Sequence, residues 1–374
     1  MIRLPVSELF SGMVVGRAII DAEQRVLLSS GQVLTEYFIK RIGDLGVAAV
    51  FINDQLGLEE SPPPVSDSII LQATHTLKSS YQKCLKTGRL QIGAVKKQVD
   101  CMIDELITHG NAMVGMADIK NYDDYTYQHS VNVCVLALML GISKGYNRAQ
   151  LQKLGLGALL HDIGKVTIPI EILNKPSVLN SEERTIIMSH TWEGFNMIKS
   201  SGQVSLLSAH VALQHHEHID GNGYPRKIRG DSIHEFAQIT TVADIYDALV
   251  SDRPYRTGFS NHEALDIIEK GEGTQISASL VELLRVHVKI CPVGTVVLLS
   301  TGDTALVTGE NTADPKKPRV KLLFDQNQKA NTLHHMVDLA SYETVSICRM
   351  FSTEDAALVI SRYLAIRNLK TSTA

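Results

Sequence analysis

An imidazole and a carboxylate stand side by side at His161-Asp162, at the end of an apolar run from Leu151 to Leu160. A buried helix finishing in this pair presents two unlike metal ligands on a rigid element. Further candidates lie at long intervals: His129 before the pair, and His190, His215, His216 and Asp244 after it. Taken singly, each is more simply a satisfied core residue. Together they point to metal chemistry, because burying so many titratable groups without an ion would cost several kcal/mol each. Asp162, with two carboxylate oxygens, can bridge two ions. One ion would then take His129, His161, Asp162 and Asp244, and the other Asp162, His190, His215 and His216. Paired ions about 3.5–4 Å apart suit hydrolysis at phosphorus. Nitrogen and oxygen donors without thiolate favour iron, manganese, nickel or zinc over magnesium, and the number of imidazoles argues against calcium.

Ligands so far apart in sequence can meet only on several packed helices, and the patterning from about 118 to 288 supplies them. Helices are expected at about Asp124–Leu140, carrying His129, and at Arg148–His161, where Gly155 and Gly157 permit close approach. A third runs from Asn180 to Ile198, with Asn180 and Glu183 forming a capping box and His190 inside it. Ser205–Glu217 ends in His215-His216-Glu217, and His234–Val250 contains Asp244. Between the last two, Asp220-Gly221-Asn222-Gly223-Tyr224-Pro225 is a tight loop of residues that accept unusual dihedrals.

The flanks read differently. Residues 1–58 are a small α+β domain, with strands at Gly12–Ile20, Arg25–Leu28 and Val47–Ile52 and a helix after the N-cap Thr35. Residues 59–66 include Pro62-Pro63-Pro64 and form a linker. Residues 67–117 carry two helical stretches that brace the core or form a dimer surface. Residues 289–374 are a small β appendage, with strands in Pro292–Leu299, Ala305–Thr308 and Arg319–Phe324, closed by a helix over Thr353–Leu364. The fold class is therefore mainly α: an all-helical catalytic core at 118–288 between two small units.

Bulk properties set outer bounds. The 374 residues suffice for two or three domains, and 44% hydrophobic with 20% charged residues is ordinary for a globular protein. A net charge of −4, from 36 basic and 40 acidic residues, is no footprint for a nucleic-acid polymer. Cys84, Cys101, Cys134, Cys291 and Cys348 have no C-x-x-C spacing and read as reduced thiols of a cytoplasmic protein. Neither a signal peptide nor a membrane-spanning run is expected.

His161-Asp162-Ile163-Gly164-Lys165, then His215-His216-Glu217 and Asp220-Gly221-Asn222-Gly223-Tyr224-Pro225, resemble the HD-GYP subgroup of HD-domain phosphohydrolases. Ala243-Asp244-Ile245-Tyr246-Asp247-Ala248-Leu249 and Asp252-Arg253-Pro254-Tyr255-Arg256 extend the match. The resemblance covers about 118–288, and residues 1–58 look like the small domain that often precedes it. It implies a bacterial phosphodiesterase acting on cyclic di-GMP with iron or manganese ions, with Asp162 and Lys165 central to catalysis. Lys165, Arg253 and Arg256 are implied phosphate contacts; the bland reading of the arginines is surface ion pairs. Tyr224 either stacks on a guanine or pins its loop. The Gly223-Tyr224-Pro225 loop is also implied in docking signalling partners. Family members with three ions take an extra Glu one turn before the first His; here that position is Tyr125, a poor substitute for a carboxylate. Two divalent ions are therefore expected. The resulting expectation is hydrolysis of cyclic di-GMP to pGpG, with onward hydrolysis to GMP as a further step. The alternatives are a phosphodiesterase for mixed cyclic GMP-AMP and a non-catalytic cyclic-dinucleotide receptor.

Overall fold

The computed structural model describes every residue except 21–25, 48, 54–55, 60–62, 110–124, 176, 252–257, 312–313, 315, 332–334 and 372–374; side chains 3, 109, 125, 353 and 368–371 are also outside the description. Arg253 and Arg256, and the side chain of Tyr125, thus lie outside the described residues.

The largest hydrophobic core runs from Val65 to Val288 and is built by helices and the turns between them. Helix α4 (Tyr125–Ser143) follows α1 (Glu36–Asp44), α2 (Asp67–Thr87) and α3 (Ile92–His109). In α4, Val131 and every residue from Val133 to Leu140 are buried. A helix apolar on all sides belongs at the centre of a bundle. Helix α5 (Arg148–Leu159) starts at a capping box of Asn147 and Gln150 and wedges between neighbours. A Cβ on Gly155 would sit 2.7 Å from Val99 Cγ1, and one on Gly157 2.6 Å from Val211 Cγ2. These glycines therefore set how closely α3 and α9 (Leu206–Gln214) approach.

Helix α5 stops at Leu159, so His161 and Asp162 stand in the turn before a 3-10 segment over Ile163–Thr167. The short α6 (Ile170–Leu173) follows. The single helix expected from Asn180 to Ile198 is two: α7 (Ser181–Met188) and α8 (His190–Ser200). The break falls where Gly164 abuts the His190 carbonyl; a Cβ there would lie 1.9 Å from the His190 oxygen. His190 consequently opens a helix instead of lying inside one. Helices α10 (Glu235–Val250), α11 (Asn261–Lys270) and α12 (Ala278–His287) complete the bundle.

The two ends of the chain share a second core. Near the N-terminus, β1 (Ile2–Pro5), β2 (Val14–Val15) and β5 (Ala49–Asn53) form an antiparallel sheet in the order β1-β5-β2, beside a hairpin of β3 (Ile19–Ile20) and β4 (Val26–Leu28). The expected strand from Gly12 to Ile20 is thus split in two. Thr35 caps α1 as expected, accepting from the Phe38 amide at 3.3 Å. Near the C-terminus five antiparallel strands are ordered β10-β6-β7-β8-β9, where β6 is Val296–Leu299, β7 Thr304–Gly309, β8 Arg319–Phe324, β9 Met336–Asp338 and β10 Ile347–Met350. The short β9 and β10 escaped the sequence pattern. The closing helix, α13, runs on to Thr371.

Alternation along β7 explains how this sheet serves two cores. Leu306 faces Leu4, Val15 and Ile52 of the N-terminal sheet together with Ile360 and Tyr363 of α13. Ala305 and Val307 face a separate cluster with Val320 and Leu339. Polar ties join the same parts: Ser361 Oγ donates to Glu8 Oε2 at 2.7 Å, and Arg319 pairs with Glu59 at 2.7 Å. Among the described residues no helix is long and apolar enough to cross a membrane.

Tyr363 is 1% exposed, packs edge-on against Phe324 and donates to the Asn331 carbonyl at 2.9 Å. Tyr363→Ala should destabilise the shared terminal core by about 3–5 kcal/mol, the range for truncating a buried aromatic. Limited proteolysis should then cut both chain ends before the helical bundle. Cleavage at one end only would contradict a shared core.

Candidate metal centre

Five imidazoles and two carboxylates converge inside the bundle, each from a different structural circumstance. His129 comes from the first turns of α4, and His161 and Asp162 from the turn after α5. His190 opens α8, His215 and His216 follow the end of α9, and Asp244 lies on α10. His161, Asp162, His190 and His215 are at most 1% exposed.

The rings are oriented from outside. Nδ1 of His161 bonds the Ala158 carbonyl at 2.7 Å, Nδ1 of His190 the Ile187 carbonyl at 2.7 Å, and Nδ1 of His215 the Ala212 carbonyl at 3.0 Å. A carbonyl oxygen only accepts, so each Nδ1 carries the hydrogen and each Nε2 turns its lone pair inward. Those inward atoms gather on Asp162: His161 Nε2 lies 3.3 Å from Oδ2, and His190 and His215 Nε2 lie 3.4 and 3.8 Å from Oδ1. His161 Nε2 and Asp162 Oδ1 are buried without a hydrogen-bond partner. Buried polar atoms left this way call for an ion or water.

Among the described residues, Asp162, His190, His215 and His216 can each place a donor atom within 4.8 Å of the others; so can His129, His161 and Asp162, and so can His161, His215 and Asp244. Asp162 belongs to the first two groups. Asp244 reaches the His129 end through a 3.1 Å contact from its Oδ1 to Nε2. This donor set fits divalent metal binding: imidazole and carboxylate, tautomers preset, lone pairs converging.

Lys165 donates to Asp162 Oδ2 from the 3-10 segment and is partly exposed, so its ammonium stands between the cluster and solvent. Tyr224 stacks on His216 with ring centroids 4.6 Å apart and planes 26° from parallel. One face of its ring is therefore engaged with a ligand candidate. Its loop is held from below by Glu217, which is 2% exposed and accepts from the Arg226 amide at 2.8 Å and the Ile228 amide at 3.2 Å. Gly223 must be glycine here, since a Cβ would lie 2.3 Å from the His218 nitrogen and 2.4 Å from the His216 oxygen.

Three residues that contact the cluster or its loop escaped the sequence reading as site residues: Glu217, Asp247 and Asn132. Asp247 is fully buried and accepts from His129 Nδ1 at 2.7 Å and Asn132 Nδ2 at 2.9 Å. A signal existed for it: Asp244 and Asp247 are two carboxylates one turn apart on an apolar helix. Glu217, an acid directly after two candidate ligand imidazoles, was visible too. Nothing marks Asn132.

Electrostatics follow from burial and partners. Burial lowers His190, lowers His215 strongly and takes His216 down to about 3, so all three are neutral and ready to ligate. His129 behaves oppositely: burial opposes its charge, but hydrogen bonds to Asp244 and Asp247 outweigh it and raise it to about 10. Burial would also raise Asp162, yet His161 and Lys165 hold it well below the carboxylate range. In an unfolded chain the histidines titrate near 6.5. As pH falls below about 6.5, the unfolded state takes up protons that buried His190, His215 and His216 refuse, so folding stability drops with pH. The Tm of chelator-treated protein should fall steadily between about pH 6.5 and 4. A Tm that is constant over that window would contradict neutral burial of these rings.

Residues 101–280 match the family model for the HD domain, and residues 296–358 match the KOW domain associated with HD domain. A cyclic di-GMP phosphodiesterase of Pseudomonas aeruginosa is 35% identical over 244 residues, covering 64% of this chain and 58% of that protein. One of Thermotoga maritima is 31% identical over 234 residues, covering 62% of this chain and 63% of that protein. The chain thus spans less than two thirds of the length of either relative. Among solved structures, an HDG"Y"P protein from Bdellovibrio bacteriovorus aligns with a TM-score of 0.50 at 18% identity, over 76% of this chain and 97% of that one, a likeness of fold alone. With the His161-Asp162 pair and the Gly223-Tyr224-Pro225 loop brought together in the matched helical segment, residues 101–280 form an HD domain that carries the HD-GYP motifs.

Proposed function

We propose that the chain is a metal-dependent phosphodiesterase that hydrolyses cyclic di-GMP to pGpG. The observation that carries this reading is the convergence of preset Nε2 lone pairs on the two oxygens of buried Asp162. Two relatives named as cyclic di-GMP phosphodiesterases support the substrate. His129, His161, Asp162 and Asp244 would hold one ion; Asp162, His190, His215 and His216 would hold the other, with iron or manganese suited to both. When bound, a pair of such ions supplies an activated water and stabilises charge developing on phosphorus.

The remaining work falls to the chain. Asp162 offers one oxygen to each half of the cluster. Lys165, at the solvent edge, is placed to leave Asp162 for an incoming phosphate oxygen, a point-charge role suited to an ammonium. Arg253 and Arg256 would clamp phosphate with their planar forks. The His216–Tyr224 stack fixes the wall of the site on the loop side.

Asp162→Ala should lose both ions by elemental analysis and abolish turnover; full metal content in this variant would sink the bridging role. Arg253→Ala should weaken cyclic di-GMP binding tenfold or more, since a hydrogen bond to a charged group contributes roughly 1.5–3 kcal/mol. Unchanged affinity by calorimetry would remove Arg253 from the site. Metal-loaded protein that cleaved mixed cyclic GMP-AMP much faster than cyclic di-GMP would replace the substrate, and binding without cleavage would make the chain a receptor.

A further inference from the structure

His129 is held unlike the other oriented rings of the cluster. His161, His190 and His215 give Nδ1–H to neutral backbone carbonyls. His129 instead meets a carboxylate, Asp247 Oδ2, at 2.7 Å. Asp244 and Asp247 are one turn apart on α10 and take the two nitrogens of the ring between them, Asp244 Oδ1 lying 3.1 Å from Nε2.

Asp247 is itself held. Its Oδ1 accepts from Asn132 Nδ2 at 2.9 Å, and Asn132 Oδ1 accepts from Gln128 Nε2 at 3.1 Å. Gln128 Oε1 faces Thr74 Oγ1 on α2 at 3.3 Å. Positions 128, 129 and 132 share one face of α4 through i, i+3 and i, i+4 spacing. The donors of His129, Asn132 and Gln128 run toward Asp247, which sends none back. With one partner on each of its two oxygens, the Asp247 carboxyl group has its orientation fixed.

We infer that Asp247, oriented by Asn132 and Gln128, is a positioning residue that fixes His129 with Nε2 toward the cluster and selectively strengthens the ion at the His129 end. The inference rests on the metal-binding reading above. Its physical basis is the difference between the acceptors. A carboxylate partner makes a charge-assisted hydrogen bond and raises the basicity of the ring, which a carbonyl partner does far less. The two halves of the cluster are therefore unequal, and only one depends on Asp247.

The test is titration of metal-free full-length protein with Mn²⁺, followed by calorimetry and manganese spin resonance, for wild type, Asp247→Asn and Asn132→Ala. Asp247→Asn keeps the shape but removes the charge. It should weaken one of two Mn²⁺ sites about 10–100-fold, the usual cost of losing such a partner, and leave the other unchanged. Asn132→Ala should weaken the same site by a smaller factor, and it covers the case of an Asp247→Asn protein that does not fold. Ring ¹⁵N shifts of His129 in the metal-free variants should move, while those of His190 and His215 stay. Equal loss at both sites, or unaltered affinities with unmoved His129 shifts, would overturn the inference while leaving the metal reading intact. Wild-type protein that took up no Mn²⁺ would overturn both.

Discussion

Asp162 is the constraint around which the helical domain is arranged. It is a carboxylate at 1% exposure with imidazoles approaching both oxygens, and it occupies a turn at the centre of an apolar bundle. Such a group is costly to bury, and the ammonium of Lys165 offsets part of that cost. Helices α4, α5, α8, α9 and α10 each contribute a ligand candidate from an end or first turns, or from the face turned inward. The bundle thereby concentrates polarity in one place and remains apolar elsewhere.

Close backbone approach makes this possible. Gly164 lets the segment after Asp162 touch the His190 carbonyl, and that contact coincides with the start of α8. Gly223 lets the Tyr224 loop fold against the backbone of His216 and His218, and the buried Glu217 carboxylate ties down the far side of the same loop. The result is that Tyr224 and His216 stack, so loop and cluster form a single rigid wall. Precise placement of this kind depends on glycines and on one acid satisfied entirely by backbone amides.

The chain ends pack into a second unit. Val296, Leu306 and Phe324 of the C-terminal sheet bury the same surface as Leu4, Val15 and Ile52 of the N-terminal one, with α13 laid across both. Neither segment is large enough to enclose much core alone. Pooling the two creates a common interior and returns the C-terminus to the N-terminal domain.

Much of the candidate site was legible in the sequence because the candidate ligands are chemically distinctive. An imidazole beside a carboxylate after an apolar run, paired histidines before a Gly-Tyr-Pro turn, and an aspartate in an apolar helix signal metal chemistry through residue type alone. Helix positions were legible through periodicity and caps, as at Thr35 and Asn180, whereas the capping box at Asn147 went unread. The tertiary structure decided what depends on contacts between distant residues. It set the break at His190 through Gly164, the tautomers through backbone carbonyls, and the roles of Asp247 and Asn132, which stand 115 residues apart and meet only when α4 packs on α10. It also decided that the two chain ends share a core. Local patterns record what one segment will bury; which surface it buries against is settled only when the whole chain closes, because packing energy belongs to pairs of surfaces and not to either one.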